Sequence, residues 1–333
     1  MRQAFVISLV LVSLAPVPAS TETQALPAFR VISANRFSTL QTELAQAAAE
    51  GYRVRAVMRP APASRAILLE RSTDKREYFL SSDAERELRD GKIPPGFIIL
   101  PQTLGAIGGG PCGAVFERDP SATASAYRIE SAVSPNNLQK DILAAVAKGD
   151  RVRMLGANAG YCALLESGAP ATATAEGKEK PIELIATSRT ATLEKELAAA
   201  AARGFRLHSA AAAEEFMFLM ERQEAGSPAG DYLVFSTSKA ETLQSEMNKA
   251  SAKGYQLHPF SMMGKTRGLT AALETTIVME KRDRPPVEYR VISTARAATF
   301  EKELLESAEQ GWQLAAVLPS GAFSAVMERP AAR

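Results

Sequence analysis

One short pattern returns about six times along the 333 residues, so small units have to form before anything larger can be assembled from them. It is clearest near the end of the chain. Tyr289 to Ser293 reads as a strand, Thr299 to Gln310 as a helix, Gly311 to Val317 as a second strand and Ala322 to Arg329 as a third. The same order starts at Phe29, Tyr127, Ile182 and Tyr232, and in weaker form at Tyr78. This predicts an α+β fold of tandem β-α-β-β repeats, each a small antiparallel sheet with one helix packed on one face. The copies are bounded at 27–71, 76–119 (degenerate), 125–167, 181–222, 230–282 and 287–330, with a flexible linker at 168–180. A unit of about 45 residues has too little core to be secure alone, so neighbours should share burial.

The local signals repeat with the units. Thr39, Asn137, Thr192, Thr242 and Thr299 stand just before the first apolar helical residue, where a side-chain oxygen caps free backbone N–H groups. Leu40/Leu44/Ala48, Leu138/Ile142/Val146, Leu193/Leu197/Ala201 and Phe300/Leu304/Ala308 recur every four residues and so share a helix face. Gly51, Gly149, Gly204, Gly254 and Gly311 end the helices, where a left-handed backbone suits a residue without Cβ. Alternation follows, as in Tyr52/Val54 against Arg53/Arg55, and marks a half-buried second strand. Each third strand is apolar and ends in glutamate: Glu70, Glu117, Glu166, Glu221, Glu280 and Glu328. A basic residue follows most of them, and Arg30, Arg128 and Arg290 lie on first strands, which predicts cross-strand ion pairs between neighbours.

The segment from Phe300 to Val317, with Leu304-Leu305, Gly311-Trp312-Gln313-Leu314 and the closing Met327-Glu328-Arg329, resembles a small bacterial domain family of unknown function. That family's mark is a tyrosine-led strand, a leucine-bearing helix, a Gly-Trp-Glu-Leu turn into the second strand, and a last strand ending in lysine or arginine. Glutamine stands at Gln313 where the family has glutamate, and the tryptophan is confined to the last copy. The resemblance implies the fold and no activity.

Ahead of the repeats, Met1-Arg2-Gln3 leads into an apolar run from Ala4 to Val17 and then Val17-Pro18-Ala19, a signal peptide expected to be cut after Ala19. The run is shorter than the roughly 20 residues that span a bilayer. Export to the periplasm or beyond is the expectation, with no membrane span after cleavage. Net charge is +2, which offers no electrostatic footprint for nucleic acid. In an oxidising compartment Cys112 and Cys162 are candidates for one disulfide. Strand alternation would put them on opposite sheet faces unless the preceding glycine loop turns Cys112.

Motifs with chemical meaning fail on context. Gly108 to Gly113 satisfies G-x-G-x-x-G, but a strand follows it where a dinucleotide site needs a helix, so it reads as a hairpin loop. Gly264-Lys265-Thr266 is preceded at the fifth position by Pro259, where a phosphate loop requires glycine. The two histidines, His208 and His258, fall at the same place in adjacent copies and are the candidate metal ligands, although a stable site wants three or four. No catalytic residues and no cofactor are assigned. The sequence is read as an exported, non-enzymatic interaction or scaffold module whose partner is another envelope or secreted protein. The alternative is small-ligand or metal sensing between repeats. Extra length between the second and third strands, at Pro101 to Pro111 and Pro259 to Thr275, marks the expected binding loops and hints at duplication of a triplet.

Overall fold

A computed structural model describes residues 27–61, 63–108, 110, 112–119, 126–167, 181–267 and 272–331; the expected signal peptide (1–19) and linker (168–180) lie outside the described residues. Unit 1 contains β1 (Phe29–Ala34), α1 (Phe37–Ala49), β2 (Tyr52–Ala61) and β3 (Ser64–Arg71). Unit 2 is β4 (Tyr78–Ser81), α2 (Ala84–Arg89), β5 (Phe97–Ile99) and β6 (Ala114–Arg118), with a single 3-10 turn at Pro101–Thr103. Unit 3 is β7 (Ala126–Ala132), α3 (Pro135–Val146), β8 (Arg151–Ala157) and β9 (Tyr161–Ser167). Unit 4 is β10 (Ile182–Thr187), α4 (Thr190–Ala202), β11 (Phe205–Ala212) and β12 (Phe216–Arg222). Unit 5 is β13 (Tyr232–Thr237), α5 (Ala240–Ser251), β14 (Tyr255–Leu257), β15 (Met263–Arg267) and β16 (Ala272–Lys281). Unit 6 is β17 (Val287–Thr294), α6 (Ala297–Glu309), β18 (Gln313–Val317) and β19 (Phe323–Pro330). Among the described residues no helix is long and apolar enough to cross a membrane.

Every sheet is antiparallel, with the last strand of the unit in the middle and the first and second strands at its edges. In all six, the residue that leads the first strand pairs with the strand-ending glutamate, from Phe29 with Glu70 to Tyr289 with Glu328. The helix starts differ from expectation. Helices α1, α4, α5 and α6 begin two residues before the anticipated caps, with Arg36, Arg189, Lys239 and Arg296 at the N-cap and no side-chain capping bond. The threonines of the preceding strand take over: Thr187 Oγ1 accepts from Arg189 N and Thr237 Oγ1 from Lys239 N, both at 3.2 Å. Such local hydroxyl turns tie the strand end to the helix start. In α3, Ser134 is the cap and Asn137 the residue whose N–H it accepts. The helix-ending glycines do adopt positive φ, +92° at Gly51 and +81° at Gly311.

One helix per unit covers one sheet face, and the other face is covered by the helix of the preceding unit. The middle strands show why they read as unbroken apolar runs. On β3, Ile67 and Leu69 join the core around α1, while the alternate residues Ala66 and Leu68 join the core around α6. On β12, Phe216, Phe218 and Met220 face one core and Met217 and Leu219 the other. A strand buried on both faces loses its polar side and with it the alternation.

Six cores result, and each spans two consecutive units: 1 with 2, 2 with 3, 3 with 4, 4 with 5, 5 with 6, and 6 with 1. The chain therefore closes into a ring. Closure joins Phe29, Met58 and Leu68 of unit 1 to Phe300, Leu304 and Phe323 of unit 6. Each fully buried aromatic or aliphatic side chain contributes about 1.5 to 3 kcal/mol, so sharing cores among neighbours is what makes units this small stable.

Polar contacts fix the same neighbours. The outer edge of each first strand would be an open sheet edge, and helix side chains of the preceding unit satisfy it. Gln41 accepts from Leu80 N and donates to Tyr78 O, Asn248 does the same at Tyr289, Glu194 accepts from Val234 N, and Glu301 accepts from Val31 N. The leading tyrosines act at the other side of the seam. Tyr78, Tyr232 and Tyr289 each accept, at the hydroxyl, the backbone N–H of Val54, Leu207 and Leu257 on the preceding unit's second strand.

Candidate functional site

The second strands run inward. Segments 55–59, 101–106, 154–157, 210–212, 259–264 and 314–320, one from each unit, line a single cavity of about 440 Å³. A space lined by all members of a closed ring lies on its axis. Close packing around it depends on missing Cβ atoms: one added at Gly105 would sit 2.5 Å from Ala157 N, and one at Gly264 would sit 2.7 Å from Ser320 O. The walls are largely apolar, and Phe260 is 44% exposed, an unusual state for a large aromatic side chain. Among the described residues, Arg55 and Arg59 are the charged residues of the wall, which holds no aspartate or glutamate.

The strands that form the wall are bulged. The ladder slips at Arg55 in β2, Arg153 in β8, His208 in β11 and Ala315 in β18, each the fourth residue after a helix-ending glycine. A bulge leaves one residue outside the ladder and re-aims its side chain. In three of the four it meets the strand-ending glutamate of its own unit: Arg55 Nε with Glu70 at 3.2 Å, Arg153 Nε with Glu166 at 3.4 Å, and His208 Nδ1 with Glu221 at 3.3 Å.

His208 and His258 occupy matching places and do matching work. His208 Nε2 lies 3.1 Å from Arg153 O of unit 3, and His258 Nε2 lies 3.0 Å from Leu207 O of unit 4. Each imidazole stitches its second strand to that of the preceding unit. Their electrostatics diverge. Burial would lower the His208 pKa, but the bond to Glu221 and that carboxylate's charge hold it above the ordinary value. His258 has no such partner on Nδ1, and burial lowers it to about 4 despite the opposing charge of Glu280. Among the described residues no group of three or more His, Cys, Asp or Glu side chains is placed to hold a metal.

The other sequence candidates fall elsewhere. Cys112 and Cys162 are both buried in the core shared by units 2 and 3, and Cys112 hydrogen-bonds Cys162. Cys112 precedes β6 rather than standing in it, so strand alternation does not govern its direction and the two thiols share one core. Burial, reinforced by the neighbouring thiol, holds Cys162 well above the usual thiol value. The glycine-rich run forms a bridge between Ile107 and Gly113 and leads into strand β6, while Gly109 and Pro111 lie outside the described residues. Gly264 and Lys265 are strand residues of β15. The first-strand arginines do not meet the strand-ending glutamates: Arg30 bonds Glu50, Arg128 bonds Asp150 and Arg290 bonds Gln310, all at the end of their own helices. Arg30 pairs with Leu69 while Phe29 pairs with Glu70, so strand alternation puts the arginine on the opposite sheet face from the glutamate, where it meets the helix end instead. The residue after the glutamate does form cross-strand pairs, Arg118 with Glu77 at 2.9 Å and Arg329 with Glu288 at 2.7 Å, and it also meets aromatic rings, with Arg222 and Arg329 lying 4.4 and 4.3 Å from the ring centroids of Phe205 and Trp312. The aromatic after the glycine and the cation after the glutamate are thus one cross-strand pair.

No protein-family model matches the chain, and no curated protein matches it. Sequence reasoning missed Arg59 and the axial wall altogether. The two long loops were its one legible trace.

Proposed function

We propose that this chain is a non-enzymatic interaction module of the periplasm or cell envelope, exported through the segment 1–19, that binds at the mouth of its ring axis. The observation that supports this reading is the placement of the two long loops. Units 2 and 5 stand opposite each other in a ring of six, and both direct their extra length, at 101–106 and 259–264, onto the same cavity. Loops carry binding when a rigid scaffold positions them. Here the scaffold is continuous, because every unit is held on both faces and the axial strands are stitched at their bulges. A cavity of this size falls within the range of about 300 to 1,000 Å³ that takes small molecules.

Hydrogen exchange on protein recovered from the periplasm tests the reading. Exposed to the dialysable and the macromolecular fractions of an envelope extract in turn, the protein should gain protection at 101–106 and 259–264. Protection confined to the outer helices, or absent with both fractions, would sink the axial assignment. Terminal sequencing of the same material should begin at Ser20.

A further inference from the structure

The cavity wall is asymmetric in charge, and the asymmetry points to a ligand class. Arg59 sits half-buried where β2 meets unit 6: its N–H donates to Pro319 O, and its carbonyl accepts from Gly321 N, both at 2.9 Å. Those bonds occupy its backbone, and among the described residues its guanidinium has no ion pair. Burial, and then the nearby charge of Arg65, hold Arg59 below its ordinary value, and no carboxylate among the described residues acts on it. Arg65 stands outside the cavity wall: its Nη1 donates to Asn35 O at 3.3 Å, and among the described residues its buried Nε has no partner. By contrast Arg55, on the same strand, is paired with Glu70. A half-buried guanidinium on a largely apolar wall is costly unless an anion joins it. Beyond Arg59 the wall is largely apolar, with Val57, Leu104, Met154, Ala211, Phe260 and Val317 each from a different unit, and Arg55, Gln102 and Ser320 are its other polar side chains among the described residues.

Resting on the axial reading above, we propose that the cavity binds a small amphiphilic anion, a single apolar chain ending in a carboxylate, with the carboxylate on Arg59 and the chain along the axis. Charge complementarity selects the anion, and the ring of apolar residues selects the chain. Arg59 is a binding residue in this assignment, and no bond of the ligand is broken.

Calorimetry on the mature protein with dodecanoate, dodecanol and dodecyltrimethylammonium, each below its micellar concentration, decides it. Dodecanoate should bind once per chain and about tenfold or more tighter than dodecanol, the ratio expected of one charge-assisted contact. The cationic amphiphile should bind weakest. Arg59→Gln should bring dodecanoate and dodecanol within about twofold of each other, Arg55→Gln should leave the ratio standing because that arginine already has its carboxylate, and Phe260→Ala should weaken both ligands together. Equal binding of the acid and the alcohol, or an Arg59→Gln protein that keeps the preference, overturns the anion assignment while leaving an axial apolar site. Absence of binding by all three overturns the amphiphile; the exchange experiment above then reports separately whether the axial mouth binds anything else.

Discussion

The seam between units 4 and 5 and the seam between units 6 and 1 solve the same packing problem with different chemistry. At the first, Tyr232 takes the N–H of Leu207, Glu194 takes that of Val234, His258 meets Leu207 O, and Arg206 crosses to Glu280 at 2.6 Å. Glu280 is 1% exposed, and although burial alone would raise its pKa, Arg206 and Arg282 hold it below the ordinary value. At the second seam the tyrosine position is Phe29, and the join is an apolar core of Phe29, Met58, Phe300, Leu304 and Phe323 with a parallel bridge between Arg59 and Ser320. Glu301 to Val31 N, at 2.6 Å, is the helix-to-edge contact that both seams share in kind. The common element is the helix held between two sheets. What fixes the ring is that layering, and the polar stitching is free to vary around it.

The largest expected effect lies at closure. Phe300 is fully buried between the first and last units, so Phe300→Ala should cost about 3 to 5 kcal/mol. If chemical denaturation shows a loss no greater than that of an exposed substitution, the ring is not closed through this core.

Acid should act on the polar seam alone. The folded pKa of His258 is lowered from 6.5 to about 4, so its stabilising contribution is present above pH 6.5 and is lost as pH falls from 6.5 to 4. That shift corresponds to about 3 kcal/mol. His208 runs the other way: its raised value stabilises the fold below its ordinary pKa, and the benefit disappears as pH rises through the folded one. With two histidines in the chain, NMR titration separates them cleanly. His258 titrating near the unperturbed value would erase this distinction between the two seams.

Glu280→Gln should cost about 2 to 3 kcal/mol, below the full penalty for orphaning a buried charge because Arg206 is 46% exposed. A variant as stable as the parent at neutral pH would show that the ion pair contributes nothing to this seam. Smallest is Tyr232→Phe, which makes the polar seam resemble closure. Leaving the Leu207 N–H unpaired should cost about 1 to 2 kcal/mol, and exchange of that amide should quicken before the rest of β11.

Much of the unit was legible from the residues. Leu40, Leu44 and Ala48 at a period of four, Gly51 after them and Tyr52/Val54 alternating beyond it are local statements, decided by backbone geometry within a turn or a strand. Helix starts were less legible, because Thr39 and Thr192 look like caps while the helices begin two residues earlier with no side-chain capping bond, and in unit 4 a strand threonine, Thr187, holds the N–H of the cap residue Arg189 instead. The histidines were found and their shared place recognised, but their partners, the carbonyls of Arg153 and Leu207, are backbone atoms that no side-chain motif announces.

By itself the sequence determined the β-α-β-β order and the number of units, since periodicity and glycine ends act within a few residues of one another, but not the helix starts or the extra strand β15, which lies in a segment it read as a loop. The tertiary structure alone decided that unit 6 returns to unit 1, that each sheet is covered on both faces, and that Arg59 and Phe260 share a wall across the axis. The reason is physical: Ile67 and Leu68 carry the same hydrophobic drive toward burial whichever helix covers them, so which two units share a core is settled by shape and by ring closure, and those are properties of the whole chain.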